Sequence, residues 1–231
     1  MLLGITVGCS AVRNLPEGSV LLRKNTVIVD DQAAVDTVAN IVQPKPNNRF
    51  LGIPFGLLLY QSAKDSTDVA FDNWLTKKPG RQKRMNAIWS EKQVKKMKAY
   101  KSGFQAWKRK TGEAPVLSDS ISTAINAQKL KAFFSNEGYF NAVVKTTATT
   151  KKRNAIVNYN VSTNTPYSID SIQANIQSPV LDSIYTANKV NSKLKQGDRF
   201  RTTAFEQERN RLSALFRNAG VYPFQLNSID F

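Results

Sequence analysis

The chain has 231 residues, and 41% of them are apolar, which is enough to bury the core of one large domain or two small ones. Its 33 Lys and Arg outnumber its 17 Asp and Glu, and the net charge of +16 points to an anionic partner: nucleic acid, acidic lipid head groups or acidic protein. The absence of His excludes His-based triads, general bases and metal sites. A single Cys excludes an intrachain disulfide and a cysteine zinc cluster.

A short apolar run stands directly before the only Cys. The run covers residues 2–7 and ends at Gly8, and Cys9 follows. It is similar to a bacterial lipoprotein signal, in which the Cys becomes the lipidated first residue of the mature protein. No Lys or Arg precedes the run, and it is shorter than the usual ~7–15 residues; a start codon set too far downstream would explain both departures. We predict lipidation of Cys9, which would hold the chain at a membrane without spanning it; the alternative is a lone Cys in a tail.

The next segment predicts a first strand and a short helix. Residues 20–22 and 26–29 are strand-like runs that flank a polar stretch, as in a strand with a bend or in a hairpin. Residues 31–42 predict a short helix, and the Pro-containing residues 44–48 break the chain. Residues 50–60 are apolar but fall short of the ~20 residues of a membrane helix, and no other run is long enough. We therefore predict no transmembrane helix.

The segment from Lys77 to Lys110 is strongly basic, with 13 Lys and Arg and one acid, Glu91. Apolar residues recur at helical spacing in its second half: Val94, Met97, Tyr100, Phe104 and Trp107. This pattern predicts a basic amphipathic helix. We expect Met97, Phe104 and Trp107 to be buried, each contributing about 1.5–3 kcal/mol.

Three interpretations compete for the basic face of this helix. It is a solvated face, a contact with anionic lipid head groups, or a nucleic-acid surface of cations interleaved with aromatics. No nucleic-acid-binding motif accompanies it, and the lipoprotein-like start also argues against nucleic acid as a partner. The residues predicted to contact an anionic surface are Lys95, Lys96, Lys98, Lys101, Lys108 and Arg109.

Residues 112–162 predict a helix, a glycine stop and an antiparallel hairpin. A polar opening at residues 118–120 precedes a helix whose apolar face is formed by Ala127, Leu130, Phe133 and Phe134. Gly138 lies just past the helix, where a residue that tolerates positive φ is favoured. The spacing of apolar residues then changes from the helical period of 3.6 to a period of 2, which predicts strands over residues 139–149 and 155–161.

The same pattern starts again downstream. Leu212 and Phe216 lie eight and four residues before Gly220, which matches the spacing of the leucine and the second phenylalanine of the first helix before their glycine. Residues 203–206, Thr-Ala-Phe-Glu, predict a capping box at the start of the second helix. A repeat of about 80 residues has the size of a small domain, so we predict two copies of one module. The second copy has a strand near Tyr167 and another over residues 222–231, and a third strand does not follow.

Together these features resemble POTRA (polypeptide-transport-associated) domains, which have the order β-α-α-β-β. The resemblance is carried by the Gly-Tyr-Phe helix end at residues 138–140, by the hairpin after it and by the Pro-Tyr-Ser-Ile-Asp-Ser-Ile run at residues 166–172. Supporting runs are residues 15–18, 46–50 and 112–115. The chain is similar to the BamA/TamA family of outer-membrane assembly proteins, in its Bacteroidetes TamA-like lipoprotein form. We expect it to be the front of a longer protein, with the family's C-terminal transmembrane barrel absent.

The resemblance implies an α+β fold of tandem POTRA-like β-α-α-β-β modules, the second incomplete at its C-terminus. Residues 1–18 would form the signal-like segment and tether. Residues 19–165 would form module one with a basic helical insertion, and residues 166–231 module two.

The resemblance also implies binding rather than chemistry. The chain would be the periplasmic part of an assembly or translocation factor, lipid-anchored at the outer membrane. It would receive unfolded outer-membrane proteins or partner subunits as a strand added to a sheet edge. The candidate edge is the second strand of module one, with contact residues Tyr139, Phe140, Val143, Lys145 and Thr147. The alternative for this strand is an ordinary solvated edge.

Two other classes of function remain. An enzyme is not expected, because no paired-carboxylate spacing, Gly-rich phosphate loop or nucleophile motif is present; no cofactor or metal site is predicted either. The alternative function is a stand-alone periplasmic lipoprotein scaffold or an anionic-surface-binding module. A barrel-coding continuation of the gene would favour the transport family over this alternative.

Overall fold

The structure, a computed structural model, describes residues 11–12, 14–64 and 67–231. These residues form four strands and eight helices, and the predicted α+β class is confirmed. The strands are β1 (Leu21–Val29), β2 (Gln32–Ala33), β3 (Val143–Lys151) and β4 (Asn154–Ser162). The helices are α1 (Asp36–Ala39), α2 (Phe55–Gln61), α3 (Thr67–Thr76), α4 (Arg81–Ile88), α5 (Glu91–Thr111), α6 (Ser120–Asn136), α7 (Pro179–Ala187) and α8 (Thr202–Asn218).

The four strands form one sheet in the order β2-β1-β4-β3, so β4 lies in the middle and β3 at one edge. Burial alternates along β4: the buried residues are Ala155, Val157, Tyr159 and Val161. This is the period-two pattern of a strand with one face on the core. The predicted hairpin is therefore confirmed. Its first strand begins at Val143 rather than at residue 139.

The chain forms two compact units whose residues interleave along the sequence. Of the described residues, unit 1 comprises those within Met1–Asn25, Pro44–Ser122 and Ala148–Val157, and unit 2 comprises those within Thr26–Gln43, Thr123–Thr147 and Asn158–Phe231. Strands β1, β3 and β4 each contribute residues to both units. The division predicted at residues 18 and 165 stays a prediction.

The apolar run at residues 50–60 contributes to the core of unit 1. Ala11, Leu15, Leu21 and Leu57 form a buried cluster, with Val12 and Leu58 packed against it. Leu57 belongs to the short helix α2 and is 0% exposed. The second half of the run thus forms a short helix that places Leu57 in the core, while Phe50, Leu51 and Phe55 are exposed.

Two segments far apart in sequence meet in unit 1 through the carboxylate of Glu113. It accepts hydrogen bonds from the Asn48 backbone N–H (2.9 Å) and from the side-chain amides of Asn48 (2.9 Å) and Asn47 (3.3 Å). The backbone hydrogen bond first, and then the two amides, hold the pKa of Glu113 below its ordinary value, although burial opposes the shift. The Asn47 side chain also donates to the Ala114 carbonyl and accepts from the Val116 N–H, so it anchors the chain that follows α5.

Arg153, at the tip of the β3–β4 hairpin, holds the first described residues in unit 1. Its guanidinium donates to four backbone carbonyls over 2.5–3.4 Å, those of Val12, Leu15, Pro16 and Ser19. The planar fork of Arg can serve several carbonyls at once, which the compact ammonium of Lys cannot do.

We expect Arg153→Lys to release the segment around residues 14–20, with a loss of about 1–2 kcal/mol of local stability, because several carbonyls lose their donor. Hydrogen–deuterium exchange measures this as faster amide exchange in that segment. The control is Lys152→Gln at the neighbouring loop position, which should leave the exchange unchanged. Equal protection in Arg153→Lys and the wild type would contradict the anchoring role.

In unit 2 the buried stripe of α6 contains a polar residue. Leu130 and Phe134 are buried as predicted, and Asn126 completes the stripe, while an isoleucine one residue before it is 44% exposed. The Asn126 amide donates to the Gln43 carbonyl (2.6 Å) and to the Tyr159 hydroxyl (3.3 Å), and its side-chain carbonyl accepts from the Gln43 N–H (3.1 Å). These bonds satisfy the partly buried backbone N–H and C=O groups of Gln43, which an apolar side chain at position 126 would leave unpaired.

The glycine stop predicted at the end of α6 is confirmed, and the polar opening predicted before the helix contains its N-terminal cap. The Asp119 carboxylate accepts from the backbone N–H groups of Ile121 (3.2 Å) and Ser122 (2.9 Å), as an N-cap does. Gly138, just past the helix, has a φ of 89°. Only residues without a Cβ adopt this conformation readily.

Residues 166–231 contain two helices and no strand. The Tyr167 carbonyl accepts from the Phe200 N–H, and Ile169 bonds to residues 197–198 through both of its backbone groups, but this pairing is a single β-bridge. The strand predicted over residues 222–231 is wrong: the chain makes turns there, including a 3₁₀ turn at Leu226–Ser228.

The capping box predicted at residues 203–206 is also wrong. Helix α8 begins one residue earlier, at Thr202, and its N-cap residue Arg201 makes no side-chain capping bond. The Thr202 hydroxyl, on the first residue of the helix, donates to the side chain of Asn136, the last residue of α6.

Candidate functional site

The strand that the sequence singles out, β3, lies at the edge of the sheet. Eight of its nine residues are exposed, and Val144 is half-buried. The strand contains no Pro, the residue that blunts many natural edges. Its charged residues are two cations, Lys145 and Lys151.

The loop that joins β3 to β4 determines which backbone groups of β3 face outward. Lys152 and Arg153 form a two-residue loop with φ angles of 49° and 58°. A loop of this kind places Lys151 and Asn154 opposite each other as a hydrogen-bonded pair. Alternate residues of β3 then bond to β4, so the N–H and C=O groups of residues 144, 146, 148 and 150 face away from it.

The other side of β4 agrees with this register. The Val161 carbonyl accepts from the Asp30 N–H at 2.9 Å, directly after β1. The backbone N–H and C=O groups of odd-numbered β4 residues therefore point towards β1, and those of even-numbered β4 residues point towards β3. Within the described residues, β4 is the only sheet neighbour of β3. The outer edge of β3 thus offers free N–H and C=O groups to an extended peptide.

A shallow groove of 240 Å³ lies beside the start of this edge, in unit 2. It is lined by Ala127, Gln128 and Lys131 of α6 and by Ala142, Val143 and Val144. Its apolar and polar walls suit one side chain of an added strand. Gln128 and Lys131 lie outside the apolar face that the sequence pattern of α6 defines, so that pattern does not single them out. Their position on the polar side of the helix, next to that face, is the signal that could have found them.

Three of the five predicted contact residues lie in β3. Val143, Lys145 and Thr147 are exposed, and they occupy alternate positions of the strand. Because β4 buries its odd-numbered side chains, these three lie on the sheet face opposite to the core. Their backbone groups face β4, so an added strand would contact their side chains rather than their amides.

The other two predicted residues precede the strand and have partners of their own. The Tyr139 hydroxyl accepts from the Arg199 guanidinium at 3.0 Å. The Phe140 ring packs against Tyr167 and Phe200, with ring centroids 5.3 and 4.9 Å apart. These contacts give Tyr139 and Phe140 a stabilising role in unit 2. Their predicted part in strand binding stays a prediction.

The aromatic residues of α5 are exposed, so the predicted burial of Phe104 and Trp107 is wrong. Tyr100 is 77% exposed, Phe104 46% and Trp107 50%, while Met97 is half-buried. Phe104 and Trp107 stack on each other with ring centroids 5.6 Å apart. The spacing of these aromatics correctly predicts one face of a helix, but a different face is covered.

The covered face of α5 carries short and polar side chains. Val94, Ser102 and Gln105 are half-buried, and the Gln105 side chain accepts from the Lys64 backbone N–H at 3.0 Å. Helices α2 and α3 pack on α5 in unit 1. Their position leaves the aromatic row in solvent.

Three of the cations predicted to contact an anionic surface have partners within unit 1. Lys98 pairs with Asp72 at 2.6 Å. Lys101 lies over the ring of Phe71, which is buried, at 5.2 Å from the centroid. Lys108 lies over the ring of Phe104 at 4.9 Å.

The remaining three cations of that set, Lys95, Lys96 and Arg109, are exposed. Lys95 and Lys96 make no ion pair within the described part of the chain. The prediction that these six residues contact an anionic surface is untested.

Cys9, the predicted lipidation site, lies outside the described residues. None of the helices in the described ranges is long and apolar enough to cross a membrane. Across residues 11–12, 14–64 and 67–231, no group of three or more Cys, Asp and Glu could hold a metal ion. The expectation of a binding protein rather than an enzyme stays a prediction.

No protein-family model matches the chain, and no curated protein matches it. Among solved structures, it is similar to a crystal structure of Haemophilus influenzae BamA POTRA3-5. The identity is 12% and the TM-score 0.29, over 87% of this chain and 88% of that chain.

Proposed function

We propose that this chain is the periplasmic, POTRA-like part of an outer-membrane protein assembly or translocation factor. In this role it binds unfolded outer-membrane proteins or partner subunits as a strand added to β3. The observation that carries the proposal is the open outer edge of β3, where residues 144, 146, 148 and 150 direct their backbone groups away from the sheet.

The order of the strands supports the same proposal. We take β1, β3 and β4 as the first, second and third strands of a β-α-α-β-β module. The third strand, β4, then lies in the middle of the sheet, and the second strand, β3, lies at its edge. The second strand is then free to take a further strand. The groove beside Val143 and Val144 would receive an apolar side chain of the added strand.

Recognition through backbone hydrogen bonds tolerates many sequences, as binding of diverse unfolded clients requires. Lys145 near the middle of the strand would disfavour pairing between two copies of this edge, because two cations would approach each other. A stand-alone lipoprotein scaffold, the alternative, has no need of an open edge.

We expect Thr146→Pro to weaken the binding of a strand-forming peptide from an outer-membrane β-barrel about tenfold or more. The substitution removes an outward N–H and places a ring on the edge, while the bonds from β3 to β4 remain. Fluorescence anisotropy of the labelled peptide measures the dissociation constant, and circular dichroism verifies the fold.

The matched control is Thr146→Ala, which keeps the N–H and should bind the peptide as the wild type does. Equal binding by the Pro and Ala variants would show that the edge of β3 is not the contact. If the wild type does not bind strand-forming peptides at all, strand addition is refuted for this chain.

A further inference from the structure

A groove of 380 Å³ in unit 1 combines cations with apolar side chains. It is lined by Trp74, Lys78, Arg81, Arg84, Met85 and Ile88. Three of these six residues are cations, none is an acid, and the other three are apolar. The first belongs to α3, the last four to α4, and Lys78 to the turn between the helices.

Two of the three cations are available to a ligand. Lys78 and Arg84 are exposed and make no ion pair or hydrogen bond with another described residue through their side chains. Arg81 stacks on the ring of Trp74, 4.7 Å from its centroid, and donates to the Trp74 carbonyl. Arg81 and Trp74 therefore form a fixed wall, and Lys78 and Arg84 contribute uncompensated positive charge beside it.

Two of the three apolar residues of the groove are exposed, and the third, Met85, is half-buried. Ile88 is 77% exposed and Trp74 45% exposed. An exposed isoleucine next to a tryptophan and several cations is typical of a surface that enters the boundary between head groups and acyl chains. A free phosphate would neutralise the cations but would leave Ile88 and Met85 in water.

Helix α5 repeats this chemistry along its own surface. Tyr100, Phe104 and Trp107 recur at spacings of four and three and are exposed. The helical period places Lys96 beside this aromatic row, and Lys96 has no ion pair within the described residues. The exposed aromatic row with a flanking cation suits the same kind of partner.

We propose that helices α3 and α4, through the groove between Trp74 and Ile88, bind the surface of an anionic phospholipid membrane. Lys78 and Arg84 contact lipid phosphates, and Ile88 and Met85 enter the apolar layer beneath the head groups. The charge of the partner is complementary to a segment with 13 cations and one acid between residues 77 and 110. This site is separate from β3 and goes beyond the proposed strand binding.

The experiment uses the full chain and two sets of vesicles, phosphatidylcholine alone and phosphatidylcholine mixed with phosphatidylglycerol. Co-sedimentation and the blue shift of tryptophan fluorescence report binding. We expect binding to the anionic vesicles only, weaker at high salt. The double variant Lys78→Gln/Arg84→Gln should bind these vesicles about thirtyfold more weakly, since each cation near an anionic surface contributes to attraction.

Two further variants keep the test specific. The control Lys129→Gln/Lys189→Gln removes the same charge from exposed positions outside the groove and should bind as the wild type does. Ile88→Ser should weaken binding to the anionic vesicles severalfold and leave binding to soluble polyphosphate unchanged.

Equal losses in the two double variants would overturn the proposal in favour of a non-specific effect of net charge. Vesicle binding by Ile88→Ser that equals the wild type would also overturn it, because the ligand would then be a soluble anion. Preferential binding of duplex DNA over the anionic vesicles would assign the surface to nucleic acid instead. None of these outcomes depends on β3, so they are independent of the test of strand addition.

Discussion

Replacing Glu208 by Ala is expected to lower the free energy of unfolding of unit 2 by about 3–5 kcal/mol, because it leaves a partly buried Arg without its partner. The Glu208 carboxylate accepts from the Arg211 guanidinium (2.7 and 2.9 Å), the Lys193 backbone N–H (2.8 Å) and the Ser192 hydroxyl (3.0 Å). The side chain of Glu208 is 3% exposed and that of Arg211 17%. Urea unfolding followed by circular dichroism measures the loss.

The control for this variant is Glu206→Ala, on the exposed side of the same helix α8, which should change stability by less than about 0.5 kcal/mol. If the two variants unfold alike, the buried network does not stabilise unit 2.

The same network predicts how stability depends on pH. Burial raises the pKa of Glu208, but hydrogen bonds from Arg211, Lys193 and Ser192, with the charge of Arg211, outweigh burial and hold the pKa below its ordinary value. A carboxyl group with a lowered pKa in the folded state stabilises the fold above its ordinary pKa. This contribution is lost as the pH falls through the lower folded-state pKa. Glu208→Gln should therefore lose less stability on acidification than the wild type.

Replacing Gly138 by Ala is expected to lower the free energy of unfolding by about 2–4 kcal/mol, for two separate reasons. The φ of 89° is unfavourable for any residue with a Cβ. The added Cβ would also lie 2.5 Å from the Phe200 carbonyl oxygen, so backbone has to move. The Gly138 carbonyl accepts from the Tyr167 N–H at 2.9 Å, and that bond would be disturbed. Chemical denaturation measures the total.

Gly220→Ala separates the two causes. Gly220 has a φ of 95°, and a Cβ added there would meet no atom within 4 Å. Gly220→Ala should lower the free energy of unfolding by only about 1–2 kcal/mol, the contribution of the unfavourable φ angle alone. Equal losses at both glycines would refute a steric role for the contact between Gly138 and Phe200.

The two glycines also show how far the sequence predicts this fold. Both follow a helix at matching distances from a leucine and a phenylalanine, and both have positive φ. That similarity is local, so spacing reveals it. Only the structure shows that a Cβ at Gly138 would meet the backbone of Phe200 while a Cβ at Gly220 would meet no atom within 4 Å, because this difference depends on a residue about 60 positions away from Gly138.

The same limit applies to the candidate site. The change from helical to alternating periodicity predicts the β3–β4 hairpin, and the edge position of β3 agrees with the predicted contact strand. The start of the strand could not be placed, since Tyr139 and Phe140 are strand-like by type but are held in a turn by Arg199, Tyr167 and Phe200. The register of the hairpin, which directs alternate backbone N–H groups of β3 away from β4, follows from the two-residue loop at 152–153 and its positive φ angles.

Composition and local periodicity by themselves determined the mixed fold class, the polar opening of α6 at residues 118–120, the glycine stop at Gly138, and the exclusion of His chemistry and of an intrachain disulfide. Tertiary structure alone decided which faces are covered. It buries Asn126 and exposes an isoleucine beside it, and it leaves the aromatic row of α5 in solvent. The physical reason is that a helical pattern specifies an apolar face, whereas burial depends on which neighbouring element covers that face and which backbone groups there need partners.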